Sequence, residues 1–477
     1  MSDTGEETTG LVFHSARELA GLLHAGAVSA REVVRAHLDR IERVNPKINA
    51  VVSLCAERAL TEAHAADERW AAGAAVGPLH GLPIAHKDTH ATAGVRTTSG
   101  SPLFADHVPD RDELVVERIR AAGAITVGKS NVPEFAAGSH TFNPVFGTTR
   151  NPYDVSRSAG GSSGGAAAAL AAGLHPLAEG SDMGGSLRNP ASFTNVVGLR
   201  PSPGRVPSWP APLGWSTLSV QGPMARSVDD VGLLLSVLAG PDARSPIAVP
   251  ESPDRFAAPP EADVAGLRVA WSPDLGGEFP TDPAVLAVLR QQLGVFDELG
   301  CTVVEATPDL SGADEAFRTL RAWTMASNLG PLLDAAPDQL KPSLAWNIRQ
   351  GRTLDGADVA AAERRHTELY HRMREFFMTY DVLVLPVSQV VPFPVEQEYP
   401  TEIDGVAQAT YLDWMRSCYL ISITGCPALS VPAGFTPEGL PVGLQIVGPH
   451  LAERRLLEVG RAFERGTAAG ARRPVVG

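Results

Sequence analysis

The sequence predicts an α/β protein with helices on both faces of a sheet. Two observations carry this. A helix, a glycine and a short apolar strand follow one another twice, around Gly123 and around Gly300. Further apolar runs of strand length are interleaved with helical patterns as far as the C-terminus. With 477 residues the chain has core enough without disulfides. A prior of ~150 residues per domain allows three domains, and one large α/β domain fits equally well.

In chain order, residues 1–13 read as a disordered tail. Ser29-Ala-Arg-Glu32 is a capping box. Val34, His37, Leu38, Ile41 and Val44 then recur at helical spacing to about residue 44. A helix over about 112–122 stops at Gly123 and leads into the strand 124–127. Residues 240–262, rich in Pro, Ala and Asp, read as a surface connection. A strand is expected at 267–271. Asp282-Pro283 is an N-cap followed by proline at the first helical position. Leu286, Leu289, Leu293 and Phe296 form one face, Gly300 ends that helix, and 301–304 is a strand. Residues 310–380 are mostly helical, either capping a pocket or covering one face of the sheet. Strands follow at 382–385, 428–431 and 444–447, the last two joined by the turn Thr436-Pro-Glu-Gly439. A helix over 452–465 closes the chain, and there are no internal repeats.

Composition narrows the function. There are 54 acidic and 40 basic residues, for a net charge of −14. That balance argues against nucleic acid, whose phosphates call for clustered Lys and Arg. The acidic, polar N-terminus is neither a signal nor a transit peptide. The longest apolar stretch, 166–178, is broken by Gly173, His175 and Pro176 and is too short to span a bilayer. A cytoplasmic enzyme without membrane attachment is the expectation. Cys55, Cys301, Cys418 and Cys426 show no CxxC spacing and read as free thiols, with no metal implied.

Three motifs mislead. Gly123-Ala-Ile-Thr-Val-Gly128-Lys129-Ser130 spells a phosphate loop, but a helix precedes it and its middle is β-branched, so nucleotide binding is rejected. His86 and His90 have zinc-helix spacing, yet Lys87 lies between them and no Glu serves as base, so metal binding is rejected. Gly160-Gly-Ser-Ser-Gly-Gly165 satisfies G-x-S-x-G without the buried strand that a nucleophile elbow needs. Its triad histidine would have to be His175, His366, His371 or His450, and nothing singles one out.

Two Gly/Ser-rich segments flank the Ala-rich run 166–172. They are Ser158-Ala-Gly-Gly-Ser162-Ser163-Gly-Gly165 and Gly180-Ser-Asp-Met-Gly-Gly-Ser186-Leu-Arg188. Gly-rich turns let main-chain N–H groups converge on an anion or a developing oxyanion, and a serine beside them is what acyl transfer requires of a nucleophile.

These segments, with Pro190 and Val197-Gly-Leu-Arg-Pro201, resemble the core signature of the amidase signature family of serine hydrolases. Gly81-Leu-Pro-Ile-Ala-His-Lys87-Asp88, Gly128-Lys-Ser-Asn-Val-Pro-Glu-Phe135, Thr424-Gly-Cys-Pro-Ala-Leu-Ser-Val-Pro432 and Gly439-Leu-Pro-Val-Gly-Leu-Gln-Ile-Val447 fit as well. The similarity runs from about residue 15 to 468. It implies a large mixed, twisted sheet covered by helices, one domain over 14–477. It also implies a Ser–cisSer–Lys triad: Ser186 as nucleophile, Ser162 after a cis peptide as bridge, Lys87 as base. N–H groups of Met183, Gly184, Gly185 and Ser186 would form the oxyanion hole, with Ser163, Asp182 and Arg188 supporting. No cofactor is implied. The substrate would be a small amide, anilide, carbamate or ester. The alternative is a component of a glutamyl-tRNA amidotransferase complex, like the A-type subunit that shares the signature. A homodimer is compatible with the family, though no heptad or charge pattern calls for one. Ser181 stands where Thr is frequent.

The chemistry also follows without the family. Lys has a reference pKa of ~10.4, and burial can lower it by up to ~3–5. Neutral Lys87 then draws a proton from Ser162, which draws one from Ser186. Trp323, Met325, Trp346, Tyr411, Trp414 and Tyr419 are candidates for an acyl pocket or for the core, and Cys418 and Cys426 for its lining.

Overall fold

The computed structural model describes residues 10–261 and 263–476. Its strands form two principal sheets. The smaller has three strands, β1 (Val51–Val52), β2 (Pro83–Lys87) and β3 (Ile125–Ser130), in the order β1-β3-β2. The larger has eight: β4 (Leu177–Asp182), β5 (Val197–Arg200), β6 (Val220–Ala225), β7 (Arg268–Trp271), β8 (Thr302–Glu305), β9 (Val382–Pro386), β10 (Ala428–Phe435) and β11 (Pro441–Val447). Their spatial order is β8-β7-β9-β11-β10-β5-β6-β4. β7 runs parallel to β8 and β9, and the other pairs are antiparallel. The expected mixed α/β sheet is present.

Period-two alternation places side chains on two cores. Val382 and Val384 of β9 and Leu429 and Val431 of β10 join one apolar cluster, with Leu289 and Phe296 of the helix Pro283–Glu298 and Leu457 and Phe463 of the helix Glu453–Thr467. Leu383, Leu385 and Ala428 join the other, with Phe317 and Leu320 of the helix Ala313–Ala335 and Leu369 and Met373 of Gly356–Phe376. Helices therefore cover both faces, because each face of the central strands is apolar.

Local signals act as expected. Ser29 and Glu32 close a capping box on the helix Ala30–Ile48, which runs past Pro46 to a left-handed Asn49. Asp282 accepts from the Ala284 N–H, with Pro283 at the first turn. Of the expected tail, residues 1–9 lie outside the described residues. Within residues 10–13, Val12 is buried, and the Phe13 ring lies against the Arg40 and Arg226 guanidinium groups. The described cysteines are all free. No described helix is long and apolar enough to cross a membrane.

The helix Gly164–Ala171 is buried along its whole length. Its glycines serve close approach rather than flexibility. A Cβ on Gly165 would come within 2.2 Å of the Asn131 main-chain nitrogen. This Ala-rich helix can therefore sit against the three-stranded sheet, and the turn before it is brought up to the end of β2.

Candidate active site

Lys87 ends β2, and its side chain is fully buried. Its Nζ lies 2.9 Å from Ser162 Oγ, 2.9 Å from Ser163 Oγ and 3.0 Å from Ser181 Oγ. Burial lowers its pKa, Glu179 and Asp182 oppose that, and the balance is about 7. Three hydroxyls match the three donors of an ammonium. A neutral amine has two N–H groups and a lone pair, so one hydroxyl can turn and donate to it.

The Gly161–Ser162 peptide is cis. The turn is held from behind: Thr141 Oγ1 donates to the Gly160 carbonyl at 2.8 Å and Ser139 Oγ to the Gly161 carbonyl at 2.5 Å. Ser162 and Ser186 border one cavity of about 370 Å³. No hydrogen bond joins their hydroxyls in this structure. Their segments meet through the main chain, Ser163 N–H donating to the Ser186 carbonyl at 3.2 Å.

Residues 183–186 turn around Asp182. Its Oδ1 accepts from Gly185 N–H at 2.9 Å and its Oδ2 from Leu187 N–H at 3.1 Å. Arg188 donates to both oxygens at 2.9 and 3.0 Å, and Arg200 to Oδ1 at 3.2 Å. Burial pushes this carboxyl up, but the two guanidinium groups outweigh it and hold it well below the usual range. Arg188 is anchored in turn by the Cys418 carbonyl and Ser422 Oγ. Gly185, at φ +111°, admits no side chain: its Cβ would fall 2.6 Å from Cys418 Cβ. Its N–H is taken by Asp182, so of the four expected oxyanion donors three remain. The N–H groups of Met183, Gly184 and Ser186 make no intramolecular hydrogen bond among the described residues.

The expected residues thus fall into two groups. Lys87, Ser162 and Ser163 touch one another, while Asp182, Arg188 and residues 183–186 form one loop beside them. Three participants were not anticipated as site residues. Ser181 supplies the third hydroxyl on Lys87. Arg200 doubles the charge on Asp182. Glu179, buried in β4, accepts from Lys87 N–H at 2.9 Å and lies 2.5 Å from His90 Nδ1 and 3.3 Å from His86 Nδ1. A lone acid inside the run Leu177-Ala-Glu-Gly180 is the signal that marks Glu179.

Of the apolar candidates, Met325 lines the cavity. Trp414, Tyr411 and Tyr419 are buried in the second core with Trp346 packed on it, so they are core residues. Cys418 lies beneath the 183–186 loop, and Cys426 is buried away from the cavity. The connection 240–262 is not wholly a surface feature, since Ser245 and Ile247 reach the cavity wall. In the misleading phosphate-loop match, Gly128, Lys129 and Ser130 belong to β3. Among the described residues, none of the four candidate triad histidines bonds Ser162 or Ser186.

Residues 32–457 match the family model described as Amidase. The chain belongs to the amidase family. It is similar to an acylamidase of Rhodococcus erythropolis, 38% identical over 455 residues covering 94% of each chain. It is also similar to the A-type subunit of the glutamyl-tRNA(Gln) amidotransferase of Acidothermus cellulolyticus, 37% identical over 95% of this chain and 94% of that protein. Among solved structures, a bacterial aryl acylamidase of the amidase signature enzymes superposes with a TM-score of 0.90 at 29% identity, covering 97% of this chain and 99% of that one. The peptide amidase of Stenotrophomonas maltophilia follows the same fold with a TM-score of 0.80 at 27% identity, covering 97% and 98%. The chain is an amide-hydrolysing enzyme of this family.

Proposed function

We propose that this enzyme cleaves linear amide C–N bonds of small carboxamides and anilides through an acyl-enzyme on Ser186, with Ser162 and Lys87 as its proton path. The observation that carries this reading is a buried, depressed-pKa lysine 2.9 Å from a serine that shares its cavity with a second serine. Neutral Lys87 accepts the Ser162 proton, and Ser162 accepts the proton of Ser186. The last transfer needs the Ser186 and Ser162 hydroxyls brought into hydrogen-bond contact, and catalytic hydrogen bonds commonly tighten once substrate is bound. Ser186 Oγ bonds to the carbonyl carbon. The resulting oxyanion takes the free N–H groups of Met183, Gly184 and Ser186, each such donor being worth about 3–4 kcal/mol. The C–N bond then breaks as Ser162 protonates the leaving nitrogen, with Lys87 resupplying Ser162. Water, deprotonated along the same path, attacks the ester and releases the acid and Ser186.

The test is covalent trapping. A sulfonyl fluoride or slowly deacylating ester is expected to add one acyl or sulfonyl mass, mapped to Ser186 by peptide sequencing. Modification at another residue, or none with an active enzyme, overturns the reading.

A second reading, a component of an amidotransferase complex, is supported by the 37% identity to the A-type subunit of such a complex. The chain purified alone separates the two. Hydrolysis of simple amides with no response to glutamine excludes the second, and strict dependence on partner proteins excludes the first.

A further inference from the structure

Arg321 projects from the helix Ala313–Ala335 into the wall of the same cavity. Only 4% of its surface is exposed. Its neighbours are poor partners for a charge. One terminal nitrogen meets Met183 Sδ at 3.1 Å, the other donates to Tyr411 Oη at 3.1 Å, and Nε has no partner. A thioether is a weak acceptor, and the Tyr411 hydroxyl, which donates its proton to Asn347 Oδ1 at 3.1 Å, offers Arg321 only an uncharged oxygen. Among the described residues no carboxylate pairs with Arg321. Lys341 Nζ and the Arg321 guanidinium lie 5.9 and 5.8 Å from the same Tyr411 ring, but Lys341 has its own carboxylate, Glu398 Oε1 at 3.6 Å. Buried guanidinium groups are ordinarily paired, since an uncompensated buried charge is strongly destabilising.

Glu113 and His90 also border the cavity, and Glu113 accepts from Gln221 Nε2. Arg321 also touches the Met183 side chain, so it stands beside the 183–186 loop.

Building on the proposed amide hydrolysis at Ser186, we propose that Arg321 is a specificity residue that binds a carboxylate carried by the substrate. The preferred substrates are amides with a free acid on either the acyl or the amine fragment. Guanidinium and carboxylate then form the charge-assisted pair that the free enzyme lacks.

The experiment compares kcat/KM on matched pairs: glutaric acid monoanilide against pentanoyl anilide, and 4-acetamidobenzoate against acetanilide. Which pair shows the preference locates the acid on the acyl or the amine side. The wild type is expected to favour the acid of one pair, and Arg321→Met to lower that preference ratio by about 10–100-fold. Arg321→Lys, which keeps the charge, should recover part of it. A wild type that favours neither acid, or a ratio that R321M does not move, overturns the proposal. A binding readout stands apart from the chemistry: glutarate should raise the melting temperature of the wild type and not of R321M. If no amide is cleaved but that difference persists, the carboxylate site stands and the hydrolytic reading fails. Equal shifts in the two proteins reject the carboxylate site.

Discussion

Two buried lysines on neighbouring strands make the most instructive comparison in this molecule. Lys87 ends β2 and Lys129 lies in β3, and both side chains are excluded from solvent. The parallel pairing sets His86 beside Lys129 and Lys87 beside Ser130, so the two stems leave the sheet on opposite faces. Burial depresses both, to about 7 and about 8. Their partners differ. Lys129 donates to the His90 carbonyl at 2.5 Å and to Thr92 Oγ1 at 2.6 Å, and the Asp88 carboxylate opposes its loss of charge. Lys87 meets three hydroxyls, two of which, those of Ser162 and Ser181, belong to residues that border the cavity. A lowered pKa therefore does not by itself make a base. In the proposed mechanism a relay of exchangeable protons leading to substrate does, and of the two lysines Lys87 is the one whose hydroxyl partners border the cavity.

The sharpest way to break this contrast is to remove the relay at either end. Ser186→Ala is expected to lower kcat on an anilide by about 10⁴-fold or more, and Lys87→Ala by about 10³-fold or more, with unchanged circular dichroism. Lys129→Met should instead retain turnover within a few-fold. If K129M were as inactive as K87A, the distinction would collapse.

The pH profile comes next. In the proposed mechanism Lys87 works as the free amine, so kcat/KM should fall about tenfold per unit below pH 7 and level off above it. The midpoint should stay in place in K129M. A limb that moved with Lys129 would assign the base to the wrong strand.

Stability should sort the lysines in the other direction. K129M leaves the His90 carbonyl without its ammonium donor and removes a counter-charge from Asp88. A loss of about 1–3 kcal/mol is expected, read as a lower thermal midpoint. The smallest effect is reserved for Ser181→Ala, which deletes one of three hydroxyls on Lys87 and should cost only a few-fold in kcat/KM. A loss as large as that of K87A would make Ser181, rather than Ser162, the route for the proton.

Much of this was legible in the sequence. Asp282, Pro283 and Gly300 marked a helix and the strand after it because capping and left-handed turns are local chemistry. β6 was not legible. Val220-Gln-Gly-Pro-Met-Ala carries Gly222 and Pro223, which argue against a central strand, yet it pairs with β4 on one side and β5 on the other. β4 was hidden for a related reason. It is buried on nearly every residue, so Leu177-Ala-Glu-Gly-Ser-Asp shows no alternation. The Lys87–Ser162 contact joins residues 75 apart, which no local pattern encodes, so only the motif set pointed to it. The aromatic candidates were left between pocket and core because Trp414 and Tyr419 are as suited to packing as to binding, and the fold uses them for packing. Arg321 went unnoticed because one arginine in a helix full of surface charge looks solvated.

The cavity is assembled from separate stretches of chain, and its ceiling has a different origin from its floor. Arg321, Thr324, Met325, Asn328 and Leu329 come from one turn-by-turn stripe of a single helix, whereas Lys87, Ser162 and Ser186 lie on other segments. Variation confined to that stripe can retune which molecules are admitted while the proposed Lys87–Ser162–Ser186 path stays intact. A library built on those five positions is therefore the natural starting point for redirecting this scaffold.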